Sequence, residues 1–197
     1  MGDSGSRMQA LPGPRIHITG ASGAGTTTLG AALATKLGVP HFDSDDYFWL
    51  PTKIPYEQER EAALRNELLL RDLTAHASWV HSGSLDGWES GAEQQFTLAV
   101  LVYVPQELRL ARLAEREREE LGDIIAPGGS RHADYREFMD WAARYDTAGL
   151  EQRSLVRHNA WLAELGCLVL RIEGDTTTAE RIRRVLAALT PAAAHES

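Results

Sequence analysis

Apolar and polar positions along the chain change period several times, and each change marks an element. Arg15-Ile16-His17-Ile18-Thr19 is a short run with β-branched residues and predicts a strand. From Leu29 to Leu37 apolar residues return at helical spacing (Leu29, Ala32, Leu33, Leu37), and Gly38 is placed to cap that helix. Val39-Pro40-His41-Phe42 predicts a second strand that runs into Asp43-Ser44-Asp45-Asp46. Residues 56–76 predict a long amphipathic helix with Leu64, Leu68 and Leu69 on one face, and Trp79-Val80-His81-Ser82 a third strand ending at Gly83. Thr97 to Val104 is strongly apolar, as a central strand buried on both faces is, and Pro105 ends it. Gln106 to Glu119 is a charged helix, broken by the stretch Gly122 to Gly129 with its Pro127-Gly128-Gly129. Helical sequence returns from about His132 to Leu165. Cys167 to Ile172 is the last strand, and a terminal helix ends near Leu189. Five strands alternating with helices predict an α/β fold, a parallel five-stranded sheet flanked by helices with right-handed crossovers. No repeat or linker divides it, so residues 14–190 read as one domain, with Gly/Ser-rich residues 1–13 and the tail 191–197 expected to be disordered.

Composition changes this picture little. The 197 residues, 43% hydrophobic and 24% charged, suit one soluble domain with a sizeable core. A net charge of −8 disfavours general nucleic-acid binding, though not a local basic patch. No apolar run approaches the roughly 20 residues that span a bilayer. No secretory leader is read, and Cys167 is the only cysteine, which excludes an internal disulfide and a cysteine metal cluster. A cytoplasmic location is the expectation.

The candidate chemistry begins between the first strand and the first helix. Gly20-Ala21-Ser22-Gly23-Ala24-Gly25-Thr26-Thr27-Thr28 has the spacing G-x-x-x-x-G-K-[ST] of a phosphate-binding loop, except that Thr26 stands at the lysine position. Glycines there permit dihedrals that other residues resist, and main-chain amides converge on an anion at the positive end of the helix. Residues 20 to 28 are therefore the expected nucleotide-binding segment, chiefly Gly20, Ser22, Gly23, Ala24, Gly25, Thr26, Thr27 and Thr28. Thr27 stands where a hydroxyl ligates magnesium. Lys36 and Lys53 are the only lysines, and neither can fill the vacant position locally.

With this loop, the Asp-rich end of the second strand, the Gly83 turn and the arginine-rich helix before a glycine break, the chain resembles a small P-loop kinase of the nucleoside-monophosphate (adenylate kinase-like) and shikimate kinase group. The resemblance covers most of residues 15–189 and implies ATP and Mg2+ as cofactors and a small-molecule acceptor. Asp43-Ser44-Asp45 is similar to the D-x-D of shikimate kinases. That likeness makes Asp43 a residue that helps organise magnesium, and Asp45 the one that orients the acceptor hydroxyl or takes its proton. General chemistry agrees, since a hydroxyl attacking a γ-phosphate needs a proton acceptor and an in-line position. The alternative for Asp43 to Asp46 is a solvated turn with a helix cap. Tyr47, Phe48 and Trp49 lie where uridine kinase-like enzymes hold a nucleoside, or serve as core.

Arg109, Arg112, Arg116 and Arg118 match the arginines of a mobile lid, here about 116–135, with Arg112 and Arg116 on one helix face and proposed as catalytic; the other reading is a solvated charged helix. Arg153 lies where related kinases carry a phosphate- or acceptor-binding arginine. Arg60 and Arg65 are further candidates for an acceptor phosphate, or surface residues. Asp86 is a Walker B-like carboxylate or a loop residue, and Gly174-Asp175-Thr176 an adenine-wrapping loop or a turn.

Thr26 bears on rate. A unit charge pair at 4 Å is worth roughly 4 kcal/mol at an effective dielectric near 20, a neutral hydrogen bond about 1. The difference is about two decades in rate, which a well-placed arginine can recover. The leading expectation is an ATP- and magnesium-dependent phosphotransferase acting on a nucleotide, nucleoside or polyol-like hydroxyl. The alternatives are a nucleotide-binding protein with little transfer, or a hydrolysing switch, disfavoured by the lack of a clear Walker B aspartate and of N-K-x-D.

Overall fold

The computed structural model describes residues 13–190; the expected tails at 1–13 and 191–197 fall outside the described residues, except for Gly13. Strands β1 (Arg15–Gly20), β2 (His41–Asp43), β3 (Trp79–Ser82), β4 (Leu98–Tyr103) and β5 (Leu168–Glu173) form one parallel sheet in the order β2-β3-β1-β4-β5. Helices α1 (Thr26–Leu37), α2 (Ser44–Phe48), α3 (Ala62–Thr74), α4 (Gln106–Leu121), α5 (His132–Ala143), α6 (Leu155–Ala163) and α7 (Thr178–Leu189) complete it.

Side-chain alternation along the strands builds two cores. Ile16, Ile18, Val80, Leu98, Val100, Val102 and Ile172 point to one face and pack with Leu29 and Leu33 of α1 and Val185 of α7. The intervening Trp79, Ala99 and Leu101 point to the other face, against Leu69 and Leu73 of α3 and Leu162 of α6. Because both faces are covered, β4 is apolar almost throughout.

Two predicted helices are shorter than expected. Residues 56–76 do not form one helix; α3 begins at Ala62, capped by Glu61, whose carboxylate accepts from the amides of Ala63 and Leu64. Pro55 disfavours helix before it, and Tyr56 has a left-handed φ of 63°. The chain there doubles back as a small hairpin, in which the Leu50 amide donates to the Gln58 carbonyl and the Arg60 amide to the Phe48 carbonyl. Arg60 pins this hairpin through the carbonyls of Tyr47 and Trp49, and is thereby placed as a structural residue.

The run from His132 to Leu165 is broken likewise. Between α5 and α6 lies a loop, closed by the Ser154 hydroxyl, which donates to the Gly149 carbonyl and accepts from the Arg157 amide. Arg153 thus sits in a loop one residue before an N-cap, not within a helix.

Candidate functional site

All five strands are parallel, so their C-terminal ends share one edge of the sheet, and β1 lies where the chain order reverses between β3 and β4. Crevices form at such switch points in open α/β sheets. Gly20, at the end of β1, has no room for a side chain, since a Cβ would strike the Val102 carbonyl. Gly23 and Gly25 adopt left-handed φ of 79° and 84°. The Ala24 amide is tied back to the Ala21 carbonyl at 3.0 Å, and the Leu29 amide to the Gly25 carbonyl at 3.1 Å. Helix α1 opens on Thr26-Thr27-Thr28 with no acidic residue in its first turn. Its free amides and positive dipole end therefore face outward without a competing charge. Thr27 and Thr28 are exposed, Thr26 half-buried.

At the end of β2, Asp43 caps α2. Its Oδ1 accepts from the Asp45 amide at 3.0 Å and its Oδ2 from the Ser82 hydroxyl at 2.7 Å. The Ser82 hydroxyl in turn contacts His41 Nε2 at 2.9 Å. Gly83 packs its bare Cα on Ser44, whose hydroxyl donates to the carbonyls of Ser82 and Ser84. Asp45 is thus held on a short, doubly anchored turn. Crowding by protein raises its pKa first, Asp43 raises it further, and Arg153 and Arg116 pull it back. Both Asp43 oxygens keep a lone pair and the Thr27 hydroxyl is exposed, so each offers the type of oxygen donor that magnesium takes. Among the described residues no cluster of three or more His, Cys, Asp or Glu could hold a metal by itself.

Arg153 closes the site from the opposite side. Its Nη2 donates to the Ser22 hydroxyl at 2.9 Å, and its guanidinium lies 4.8 Å over the Trp141 ring. Burial lowers its pKa, while Asp45, Tyr145 and Asp86 favour its charge. Asp86, read in the sequence as a Walker B-like or loop carboxylate, is paired with Arg157 at 2.6 Å and only 8% exposed. Its carboxylate therefore helps organise the Arg153 wall and does not face open solvent.

The four arginines of α4 separate. Arg109 is fully buried and binds the Ala142 carbonyl and Asp146, tying α4 to α5. Arg112 pairs with Asp175 at 2.6 Å, linking α4 to the loop before α7. Arg116 is bonded to Glu117 at 2.6 Å and lies close enough to Asp45 and Tyr56 to act on both. Arg118 is exposed. The Tyr56 phenol, pushed up to about 12 by burial first and then by Glu120, covers this corner with a strained φ. The Arg65 guanidinium lies over both Phe48 and Trp88, whose rings are themselves neighbours, so the three form an aromatic wall.

Gly174-Asp175-Thr176 resolves into three tasks. Asp175 holds Arg112, the Thr176 hydroxyl accepts from Arg181 Nε at 2.9 Å, and the following Thr177 caps α7. Arg181 itself escaped the sequence reading. Its signal was a charged residue on the apolar stripe of α7, one turn before Val185 and two before Ala188.

A sheet of this order, with a glycine-rich strand-to-helix turn at its switch point, defines the fold of the P-loop kinases. Solved structures agree. Shikimate kinase from Acinetobacter baumannii in complex with shikimate aligns with a TM-score of 0.55 at 22% identity, over 90% of this chain and 93% of that one. A gluconokinase from Sinorhizobium meliloti 1021 aligns with a TM-score of 0.51 at 15% identity, over 92% and 93%. In sequence, the protein YqaC of Bacillus subtilis (strain 168), described as uncharacterized, is 44% identical over 171 residues, 87% of this chain and 94% of YqaC. Shikimate kinase of Acinetobacter baumannii (strain AYE) is 31% identical over 124 residues, 58% of this chain and 69% of the enzyme. No protein-family model matches. The chain belongs to the family of YqaC and shikimate kinase. Among the described residues no helix is long and apolar enough to cross a membrane.

Proposed function

We propose that the chain is an ATP- and magnesium-dependent phosphotransferase that moves the γ-phosphate to a hydroxyl of a small metabolite. The observation that carries this is that Arg153, bonded to Ser22 of the glycine loop, also lies near enough to Asp45 for each to favour the other's charge. A protein that only holds nucleotide has no use for a carboxylate poised beside the loop. A phosphotransferase needs one to orient the attacking hydroxyl and receive its proton.

In this reading the amides of residues 22–28 bind the polyphosphate. Asp43 and Thr27 hold the metal, which when bound neutralises phosphate charge. Asp45, with its raised pKa, accepts the proton of the acceptor hydroxyl, and Asp43 fixes its position through the Asp45 amide. Arg153 approaches the phosphate being transferred from the Ser22 side, and Arg116 leaves its helix carboxylates to do so from above. The aromatic wall of Phe48 and Trp88, with Arg65 laid over both rings, shapes the acceptor side. The shikimate and gluconate kinases in the comparisons make a hydroxylated, anionic metabolite the first class to test.

Thr26 favours a second reading, nucleotide binding with little transfer, because the ammonium that ordinarily bridges two phosphates is missing. Purified protein is titrated with ATP and magnesium against a panel of hydroxy acids, sugars, nucleosides and nucleotides while ADP release is followed. Acceptor-stimulated ADP supports the transferase. Tight ATP binding with no turnover for any acceptor supports the second reading, and acceptor-independent release indicates hydrolysis.

A further inference from the structure

We infer that Arg181, on α7 behind the glycine loop, supplies to the loop the positive charge that its lysine position lacks. The inference rests on the nucleotide-binding reading above and deepens it.

Three observations converge. First, Arg181 Nη1 donates to the Ala24 carbonyl at 2.8 Å, and lies 3.3 Å from where a Cβ of Gly25 would stand. It therefore touches the loop backbone itself, at the residue just before Thr26. Second, the guanidinium is only 4% exposed, has no carboxylate within ion-pair distance among the described residues, and keeps an unbonded Nη2. Asp175, the nearby carboxylate, is taken by Arg112. Burial first and Arg112 second weigh against the charge on Arg181, and Asp175 offsets them only in part. A cation left this way is costly until an anion arrives nearby. Third, the Ala24–Gly25 peptide is planar and trans, so its two polar ends point in opposite directions. With Arg181 on the carbonyl, the Gly25 amide points the other way, and no backbone or side-chain acceptor among the described residues takes it.

The physical consequence is direct. A guanidinium on a carbonyl polarises the whole peptide unit and strengthens its N–H as a donor, as bonds in a chain reinforce one another. The loop thus presents a charge-reinforced amide to phosphate, and the full charge of Arg181 adds through low-dielectric protein. A lysine delivers its charge from inside the loop, whereas Arg181 delivers it from behind. Arg181 is accordingly a positioning residue: it acts on the nucleotide through the Ala24–Gly25 peptide and needs no contact with it.

The test is a nucleotide ladder read by calorimetry. Adenosine, AMP, ADP and ATP with magnesium are titrated into wild type, Arg181→Gln, Arg181→Lys, Thr26→Lys and the double variant Thr26→Lys/Arg181→Gln, with melting temperatures in parallel. Arg181→Gln is expected to lose about tenfold in affinity for ADP and ATP, equivalent to about 1.4 kcal/mol, and less than twofold for adenosine. Arg181→Lys should retain most of the affinity. Restoring the loop lysine should shrink the Arg181→Gln loss to within twofold. An equal loss for adenosine and ATP, or an undiminished loss in the Thr26→Lys background, overturns the inference, because both are the mark of a merely structural arginine. Should Arg181→Gln fail to fold, Arg181→Lys is compared with wild type and with Thr26→Lys/Arg181→Lys: a loss of at most threefold, confined to ADP and ATP and absent from the double variant, supports the inference, and a loss equal across the four ligands overturns it. If wild type binds none of the four, the nucleotide-binding reading falls and takes the inference with it. If wild type binds ATP and Arg181→Gln binds it as well, only the inference falls.

Discussion

Arg153 reaches the Ser22 hydroxyl at 2.9 Å across 131 positions of sequence, and so joins the loop before α6 to the glycine loop. The contact uses one nitrogen, and the plane of the guanidinium is set by stacking on Trp141. A lysine keeps the charge and loses both the stack and the fork. Arg153→Lys is therefore expected to cut acceptor-stimulated ADP release about 100-fold through misplacement, with ATP affinity within threefold of wild type. Steady-state kinetics beside calorimetry separate the two, and unchanged turnover would remove Arg153 from the site.

Asp45 should behave differently. Asn at this position keeps the size, and its backbone amide still donates to Asp43, but its side chain cannot take a proton. Asp45→Asn is expected to lower turnover by about 10² to 10⁴ and to leave ATP binding intact. Because burial and Asp43 raise the Asp45 pKa, the wild-type rate should fall on the acid side with a midpoint above that of an ordinary aspartate. Asp43→Asn should move that midpoint down. A rate profile flat across that range would exclude Asp45 as the base.

Stability should depend on pH through three buried histidines. His17 and His81 contact each other through Nδ1 at 3.0 Å, and His158 lies between the Tyr145 hydroxyl and Ser84. Burial first, and the imidazoles of His81 and His158 after it, hold His17 well below 6.5, and burial brings His81 and His158 to about 3. Between 6.5 and those values the unfolded chain takes up protons that the folded one refuses. Stability is thus complete above pH 6.5 and declines as pH falls, by up to about 1.4 kcal/mol per pH unit for each histidine. Urea midpoints at pH 7.5 and 5 should show the drop, and His158→Gln should make it shallower. Equal midpoints at the two pH values would contradict the buried neutral state.

Arg109 is a stability residue despite its place among the arginines of α4. It is fully buried, with Asp146 and the Ala142 carbonyl as partners. Arg109→Met strands Asp146 and should cost about 3 kcal/mol. Arg109→Met/Asp146→Leu should recover most of that loss, and denaturant unfolding of the pair measures the coupling.

Much of this was legible in the sequence. β4 is a continuous apolar run, β1 and β3 mix β-branched or aromatic residues with polar ones, and Gly38 caps α1 in the left-handed conformation, as its position suggested. The glycine loop was legible because backbone requirements leave a spaced signature. What was hidden involves partners far apart along the chain. Nothing local to Glu151-Gln152-Arg153 says that it meets Ser22, and nothing in the arginines of α4 says which one is buried. The start of the helix predicted over 56–76 was misplaced because Tyr56 to Glu61 contains no glycine or proline to break it, whereas the left-handed Tyr56 and the hairpin bonds of Gln58 and Arg60 decide the backbone there.

Gly23 has no side chain because the carbonyl of Arg109 occupies that space. The same residue bolts α4 to α5 through its guanidinium. One residue thus serves as fulcrum for both the glycine loop and the helical pair above it. On the proposed function, a closing of α4 over a metabolite would have to pivot beyond Arg109, carrying Arg112 and Arg116 while the first turn of α4 and the loop it touches stay in place.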